Sequence, residues 1–144
     1  MTTDDARAIR DAVSSFVRAF GLHRPEQTPC GQQMTVSEAH ALTEIQRDGG
    51  LRQAELARRL RLEKSTVSRL VGQLVGRGWV GRADAADDGR RIWLTLTEQG
   101  VRVAERLAQA RDARFAALLD RIPPDERPAI LSAVQRLAEA ADDQ

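Results

Sequence analysis

The chain has 144 residues, of which 42% are hydrophobic, 30% are charged and 3% are aromatic, and its formal net charge is +1. This length fits one domain or two small entangled ones, and the apolar fraction argues against wholesale disorder. The single cysteine, Cys30, excludes an intrachain disulfide, and no apolar run approaches the ~20 residues of a membrane span. Because the N-terminus also lacks a signal-peptide pattern, we expect a cytoplasmic protein that has no contact with a membrane.

Hydrophobic spacing predicts a mainly α fold with one small β-hairpin. The predicted helices cover residues 4–20, 35–47, 53–60, 64–77, 98–122 and 125–141. Pro- and Gly-containing residues 21–34 read as a loop, and Gly49 and Gly78 are placed to end the second and fourth helices. The hairpin is predicted from residues 79–82 and 91–95, which flank a turn-rich segment.

The third and fourth predicted helices are separated by three residues, which is typical of a helix-turn-helix. Such a motif needs a small residue where its helices cross and an apolar anchor in the turn, and Ala57 and Leu62 fit these positions. The start of the second helix of the motif would then meet base edges in the major groove. Five polar side chains are predicted there: Lys64, Ser65, Thr66, Ser68 and Arg69. Among them, Arg69 could bind guanine through two hydrogen bonds.

The predicted hairpin adds a second candidate contact with DNA. Its tip carries Asp88 and Arg90 around Gly89, so that Asp88 can brace the guanidinium while Arg90 enters a narrow minor groove. Arg82 and Arg91 flank the tip and are placed to hold phosphates. Residues 52–91 carry ten basic and five acidic side chains, a local excess of +5 on a nearly neutral chain, which indicates a directed phosphate-binding surface.

These pieces together resemble the multiple-antibiotic-resistance regulator (MarR) family of winged helix-turn-helix transcription factors. The resemblance is carried by ELARRL, EKSTVSRLVGQLVGRGWV, the DDGR wing tip and LTLTEQG, in this order within residues 37–100. It implies an intertwined homodimer in which residues 1–34 and 98–144 form a helical dimerisation region. Residues 35–97 would form the DNA-binding lobe, with the polar residues of the fourth helix in the major groove and the wing tip beside it.

The resemblance also implies a function. We expect a sequence-specific regulator, a repressor, that binds a pseudo-palindromic double-stranded DNA operator as a homodimer. In the family, small ligands, metals or thiol oxidation often alter the spacing of the lobes and release DNA, so a small-molecule effector is a further expected partner. A winged-helix protein-interaction module without DNA binding is the alternative. We find no catalytic constellation and expect neither an enzyme nor a bound cofactor.

Cys30 leaves several interpretations open. A peroxide-sensing branch of the family uses a cysteine in the first helix, supported by tyrosines, but this chain has no Tyr and Cys30 follows that helix. Cys30 could instead join His23, Glu38 and His40 in a metal site, or remain a buried or inert thiol. His40 fits equally well as a structural residue. Trp79 and Trp93 are expected to pack the hairpin against the helices.

Overall fold

The computed structural model describes residues 3–21, 32–84 and 91–142. Within these ranges the chain forms six helices and a three-stranded antiparallel sheet. In order, the elements are α1 (Thr3–Phe20), α2 (Val36–Asp48), β1 (Leu51–Arg52), α3 (Gln53–Leu60), α4 (Lys64–Gly76), β2 (Val80–Asp84), β3 (Ile92–Leu96), α5 (Glu98–Leu119) and α6 (Arg127–Asp142). A 3-10 turn at Pro124–Glu126 precedes α6.

Local capping explains where the helices of the central region begin and end. Thr35 caps α2 through a capping box: its side chain accepts a hydrogen bond from the Glu38 N–H, and the Glu38 carboxylate accepts one from the Thr35 N–H. Gly49 ends α2 with a φ of 69°, and Gly78 follows α4 with a φ of 77°, a conformation that glycine adopts without a steric penalty. The predicted stops at both glycines are confirmed.

The sheet contains one strand more than the sequence predicted. The expected hairpin is present, with Val80 opposite Leu96 and Arg82 opposite Leu94. On the other side of β3, the two residues of β1 pair with Leu94 and Trp93, so the strand order is β1-β3-β2. The sequence pattern does not predict β1, because two residues between a glycine and a helix are too few to show the alternation of apolar and polar residues that marks a strand.

The core lies among α2, α3, α4, the sheet and the first half of α5. Its largest fully buried side chains are Leu42, Ile45, Leu56, Leu74, Leu94, Leu107, Val67, Val71 and Val103. The buried residues of α5 all lie in its N-terminal half, and Phe115 and Leu119 farther on are exposed. α1 and α6 bury no residue. No helix in the parts of the chain described above is long and apolar enough to cross a membrane.

Three predicted details differ from the structure. α5 ends at Leu119 instead of residue 122, and α6 starts at Arg127 because the residues after Pro123 form the 3-10 turn first. Trp79 is buried as expected, whereas Trp93 is 44% exposed. Successive residues of a strand face opposite sides of the sheet, so Trp93 points to the outer face because Leu94 is buried on the inner one. The Trp93 ring lies over Gly50. Trp93 therefore does not join the core.

Candidate nucleic-acid interface

α3 and α4 form a helix-turn-helix with a rigid three-residue turn. Arg61 opens the turn in the left-handed conformation, with a φ of 55°, and its N–H donates to the Arg58 carbonyl at 3.2 Å. The Leu62 N–H donates to the Ala57 carbonyl at 3.1 Å, and the Leu62 side chain packs against the core. Ala57 is buried between the helices. The small residue and the apolar anchor thus lie where the sequence predicted them.

α4 separates its two faces sharply. Val67, Leu70, Val71 and Leu74 are buried, so the helix is fixed on the core by one side. Lys64, Ser65, Ser68 and Arg69 are exposed, and Thr66 is half-buried. The five predicted base-reading side chains therefore share the first two turns of α4. Lys64 and Arg69 form no ion pair with any residue in the described ranges, which leaves both cations available to an external anion.

Arginines of α3, in contrast, are held by neighbouring carboxylates. Arg58 donates from Nε to Glu55 Oε2 at 2.9 Å. Arg59 is mostly buried and reaches Glu55 within α3 (3.1 Å), and Glu44 (3.2 Å) and Asp48 (2.7 Å) on α2. The hydrogen bonds from Arg58 and then Arg59 lower the pKa of Glu55 from 4.5 to about 2. This network stabilises the packing of α3 on α2 and leaves little of Arg59 for DNA.

We expect acid to weaken this network in a defined pH window. Since the pKa of Glu55 is about 2 in the folded protein and about 4.5 when unpaired, its stabilisation is complete above pH 4.5 and disappears as the pH falls towards 2. Glu55→Gln should therefore lower stability at neutral pH and reduce the loss of stability between pH 4.5 and 2. Urea unfolding at several pH values measures both effects. Glu105→Gln, on the exposed face of α5, is the control; an unchanged pH slope in Glu55→Gln would contradict the assignment.

The wing is described only in part. Asp88 and Arg90, the predicted tip residues, lie outside the described ranges, and their roles stay predictions. Arg82 in the middle of β2 and Arg91 just before β3 are exposed, as a phosphate contact requires. Strand β1 adds one exposed cation, Arg52, which had no predicted role. Arg52 pairs in register with Trp93, on the side of β3 opposite β2. Its only sequence signal was its membership of the basic segment.

Glu38, proposed as a metal ligand, is engaged inside the fold. It is 2% exposed, and its Oε1 accepts the capping hydrogen bond from Thr35 at 3.0 Å. Its Oε2 lies 2.9 Å from Arg77 Nε, an ion pair whose angle is too poor for a hydrogen bond. Arg77 also donates to the Gln33 carbonyl at 2.7 Å and stacks 4.6 Å from the ring centre of Trp79. Glu38 and Arg77 therefore join the start of α2 to the end of α4.

Of the four proposed sensor residues, the structure describes only Glu38 and His40, and these two face different sides of α2. Glu38 is buried, whereas His40, two positions along α2, points to a different side and is exposed. Partial removal of the His40 ring from water, and then the charge of Arg111, lower the pKa of His40. Cys30 and His23 lie outside the described ranges. Within those ranges, no three His, Cys, Asp or Glu residues are grouped so that they could hold a metal ion.

Known proteins resemble this chain in both sequence and fold. A family model described as the MarR family matches residues 32–91. An HTH-type transcriptional regulator of Mycobacterium tuberculosis is 26% identical over 146 residues, which cover 99% of this chain and 99% of that protein. These matches are to regulators and not to enzymes, which confirms the expectation that this chain is not an enzyme.

Solved structures extend the similarity to the whole fold. FabT of Streptococcus pneumoniae, crystallised in complex with DNA, has a TM-score of 0.83 at 18% identity, covering 96% of this chain and 98% of FabT. The PcaV transcriptional regulator from Streptomyces coelicolor, crystallised with its natural ligand, has a TM-score of 0.68 at 26% identity, covering 94% of this chain and 90% of PcaV. Motifs, fold and relatives agree, and together they support a winged helix-turn-helix transcriptional regulator of the MarR family.

Proposed function

We propose that this regulator is a repressor that binds a pseudo-palindromic double-stranded DNA site as a homodimer. The observation that carries the proposal is the exposed first half of α4, where Lys64, Ser65, Ser68 and Arg69 stand on a helix whose opposite face is fixed in the core. A helix held in this way keeps its position while its polar side meets base edges. A protein bound over a promoter would repress by excluding the polymerase.

Charge and similarity support the same proposal. The basic excess of residues 52–91 includes three exposed arginines of the sheet region: Arg52 on the edge strand β1, Arg82 on the edge strand β2, and Arg91 just before the central strand β3. Exposed positive groups on the same lobe as a reading helix suit the phosphate backbones that border a groove. FabT, whose fold this chain shares, was crystallised in complex with DNA. We therefore assign residues 35–97 to the DNA-binding lobe. Its proposed reading surface consists of Lys64, Ser65, Thr66, Ser68 and Arg69.

The helices outside the lobe support a homodimer. α1, the second half of α5 and α6 expose large apolar side chains in succession: Ile9, Val13, Phe16, Phe115, Leu119, Ile130, Leu131, Val134 and Leu137. Apolar surface on three segments of one chain is typical of a protein interface, because its exposure to water is unfavourable. We propose that residues 1–34 and 98–144 cover this surface with the same region of a second copy, although the first half of α5 also completes the core of the lobe.

Selection from a random duplex library tests DNA binding even though the operator sequence is unknown. We expect enriched sequences to contain an inverted repeat whose half-sites are centred about one helical turn, ~10 bp, apart. Affinity for the selected duplex should fall steeply between about 50 and 200 mM salt, because bound phosphates release counterions. Failure to enrich any duplex, with no salt-dependent binding, would reject the proposal and favour a protein-interaction module.

A charge placed in the exposed apolar surface should separate the two copies. Leu131 is 60% exposed, and Leu131→Glu would bury a carboxylate in the proposed interface. We expect the wild type to sediment as a dimer and Leu131→Glu as a monomer at micromolar concentration. Ser132→Glu adds the same charge on the adjacent side of α6 and should remain dimeric. A monomeric wild type would contradict the proposed dimer.

Release from DNA by a small ligand or by thiol oxidation is a further part of the proposal. A bound ligand in PcaV, which is 26% identical, supports the first route. Footprinting on the DNA upstream of the protein's own gene, with and without oxidant, tests the second. Protection that oxidant leaves unchanged in the wild type would exclude Cys30 as a switch.

A further inference from the structure

The C-terminal end of α6 lies against the helix-turn-helix. Asp142, the last residue of α6, accepts two hydrogen bonds from Arg61, one from Nε to Oδ1 and one from Nη2 to Oδ2 at 2.7 Å. The two residues are 81 positions apart in the chain. α6 is otherwise exposed from Pro128 onwards, so this pair joins the end of an uncovered helix to the turn of the lobe.

Arg61 lies at a position from which we expect it to contact a DNA phosphate. It lies three residues before Lys64, the first residue of α4, at the same end of that helix as the proposed reading surface. The turn is fixed by its own backbone hydrogen bonds and by Leu62, so the Arg61 side chain projects from a rigid position. When the start of a helix enters the major groove, the turn before it lies at the rim, next to the sugar-phosphate backbone.

A guanidinium binds a carboxylate and a phosphate through the same planar pair of donors and cannot satisfy both at once. The geometry of the pair with Asp142 is of this two-bond kind. The side chains are also 61% and 52% exposed, respectively, so solvent screens the pair and it remains exchangeable. The charge of Arg58 faces the same carboxylate, which would draw Asp142 to this corner of the lobe.

We propose that Asp142 competes with a DNA phosphate for Arg61, so that the C-terminal end of α6 weakens DNA binding by its own lobe. Binding exchanges the carboxylate for the phosphate and frees the end of α6 from the turn. Conversely, any event that holds α6 against the turn would lower affinity for DNA. The inference rests on the proposed DNA-binding function and adds an internal competitor to it.

The test compares two variants of α6 that each remove one negative charge. Asp142→Asn removes the partner of Arg61, while Glu139→Gln removes a carboxylate three residues earlier that forms no ion pair within the described ranges. Affinity for the selected duplex is measured by fluorescence anisotropy, and far-UV circular dichroism checks folding. We expect Asp142→Asn to bind about two- to fivefold more tightly than the wild type, the range that an exposed ion pair allows. Glu139→Gln should show a smaller change.

A double-mutant cycle separates competition from a general charge effect. In an Arg61→Gln background the carboxylate has lost its hydrogen-bond donor, so adding Asp142→Asn should change the affinity no more than Glu139→Gln does in the wild type. The inference is overturned if Asp142→Asn behaves like Glu139→Gln, or if its effect persists without Arg61. A wild type that binds no duplex would overturn the proposed function itself, whereas normal wild-type binding with no effect of Asp142→Asn rejects only the competition.

Discussion

Gly100→Ala should destabilise the protein by about 3 kcal/mol or more, at or beyond the upper end of the usual penalty for overpacking. A Cβ at Gly100 would lie 1.9 Å from the carbonyl oxygen of Trp79, and this oxygen is backbone, so it cannot rotate away. The same carbonyl accepts the Thr97 N–H at 3.0 Å, and the Thr97 side chain caps α5 by accepting the Gly100 N–H at 3.0 Å. The substitution thus separates the start of α5 from the start of β2.

Urea unfolding followed by circular dichroism measures this effect, and Gly72→Ala provides a matched control. Gly72 is also a helical glycine, but nothing lies within 4 Å of a Cβ built there. Alanine at that exposed position should stabilise α4 by up to ~1 kcal/mol, because it restricts the unfolded chain and suits a helix better. Equal stabilities of the two variants would show that the close approach at Gly100 has no energetic consequence.

Arg69→Ala should weaken DNA binding and should also remove the preference for one base pair in each half-site. A bidentate arginine contact with guanine contributes ~1–3 kcal/mol of discrimination, so variants of the selected duplex at that position should become nearly equivalent. Arg69 is suited to this role because it is exposed on the second turn of α4 and has no ion-pair partner within the described ranges. Competition binding against duplexes substituted at each position measures the change.

Two further arginines distinguish base reading from phosphate binding. Arg82→Ala, at the wing, should weaken binding to all duplexes by a similar factor and reduce the salt dependence by about one phosphate contact. Arg106→Ala, on an exposed face of α5, should leave binding unchanged. The assignment of Arg69 fails if its removal lowers affinity uniformly and preserves every preference of the wild type.

Elements with local signals were predictable from the sequence, and those that depend on distant partners were not. The helix-turn-helix followed from helical period and turn length, because Leu62 and Gly78 each act through a residue a few positions earlier, Ala57 and Val75 respectively. The two-residue strand β1 exists only through its pairing with β3. The exposure of Trp93 depends on which face of that strand meets the core, which composition does not determine.

The candidate interface shows the same limit. A basic segment predicts a phosphate-binding surface, but the sequence does not show which of its cations are already neutralised. Carboxylates of α2, which is a separate helix, hold Arg59 in addition to its neighbour in α3, and Glu38 holds Arg77 from 39 positions away. Arg69 and Lys64 were identified correctly as exposed because helical period alone sets their face. The pairing of Arg61 with Asp142 had no sequence signal.

Both tryptophans lie in the DNA-binding lobe, so the intrinsic fluorescence of the protein reports on that part of the molecule. The chain has no tyrosine, so its near-ultraviolet absorbance and fluorescence come almost entirely from Trp79, immediately before β2, and Trp93, within β3. Trp79 emits from the core and Trp93 from a half-exposed surface beside the wing. Emission therefore reports on the lobe, whereas far-UV circular dichroism is dominated by the long helices. Melting curves recorded both ways will coincide if the lobe and the outer helices unfold as one unit, and will separate if they do not.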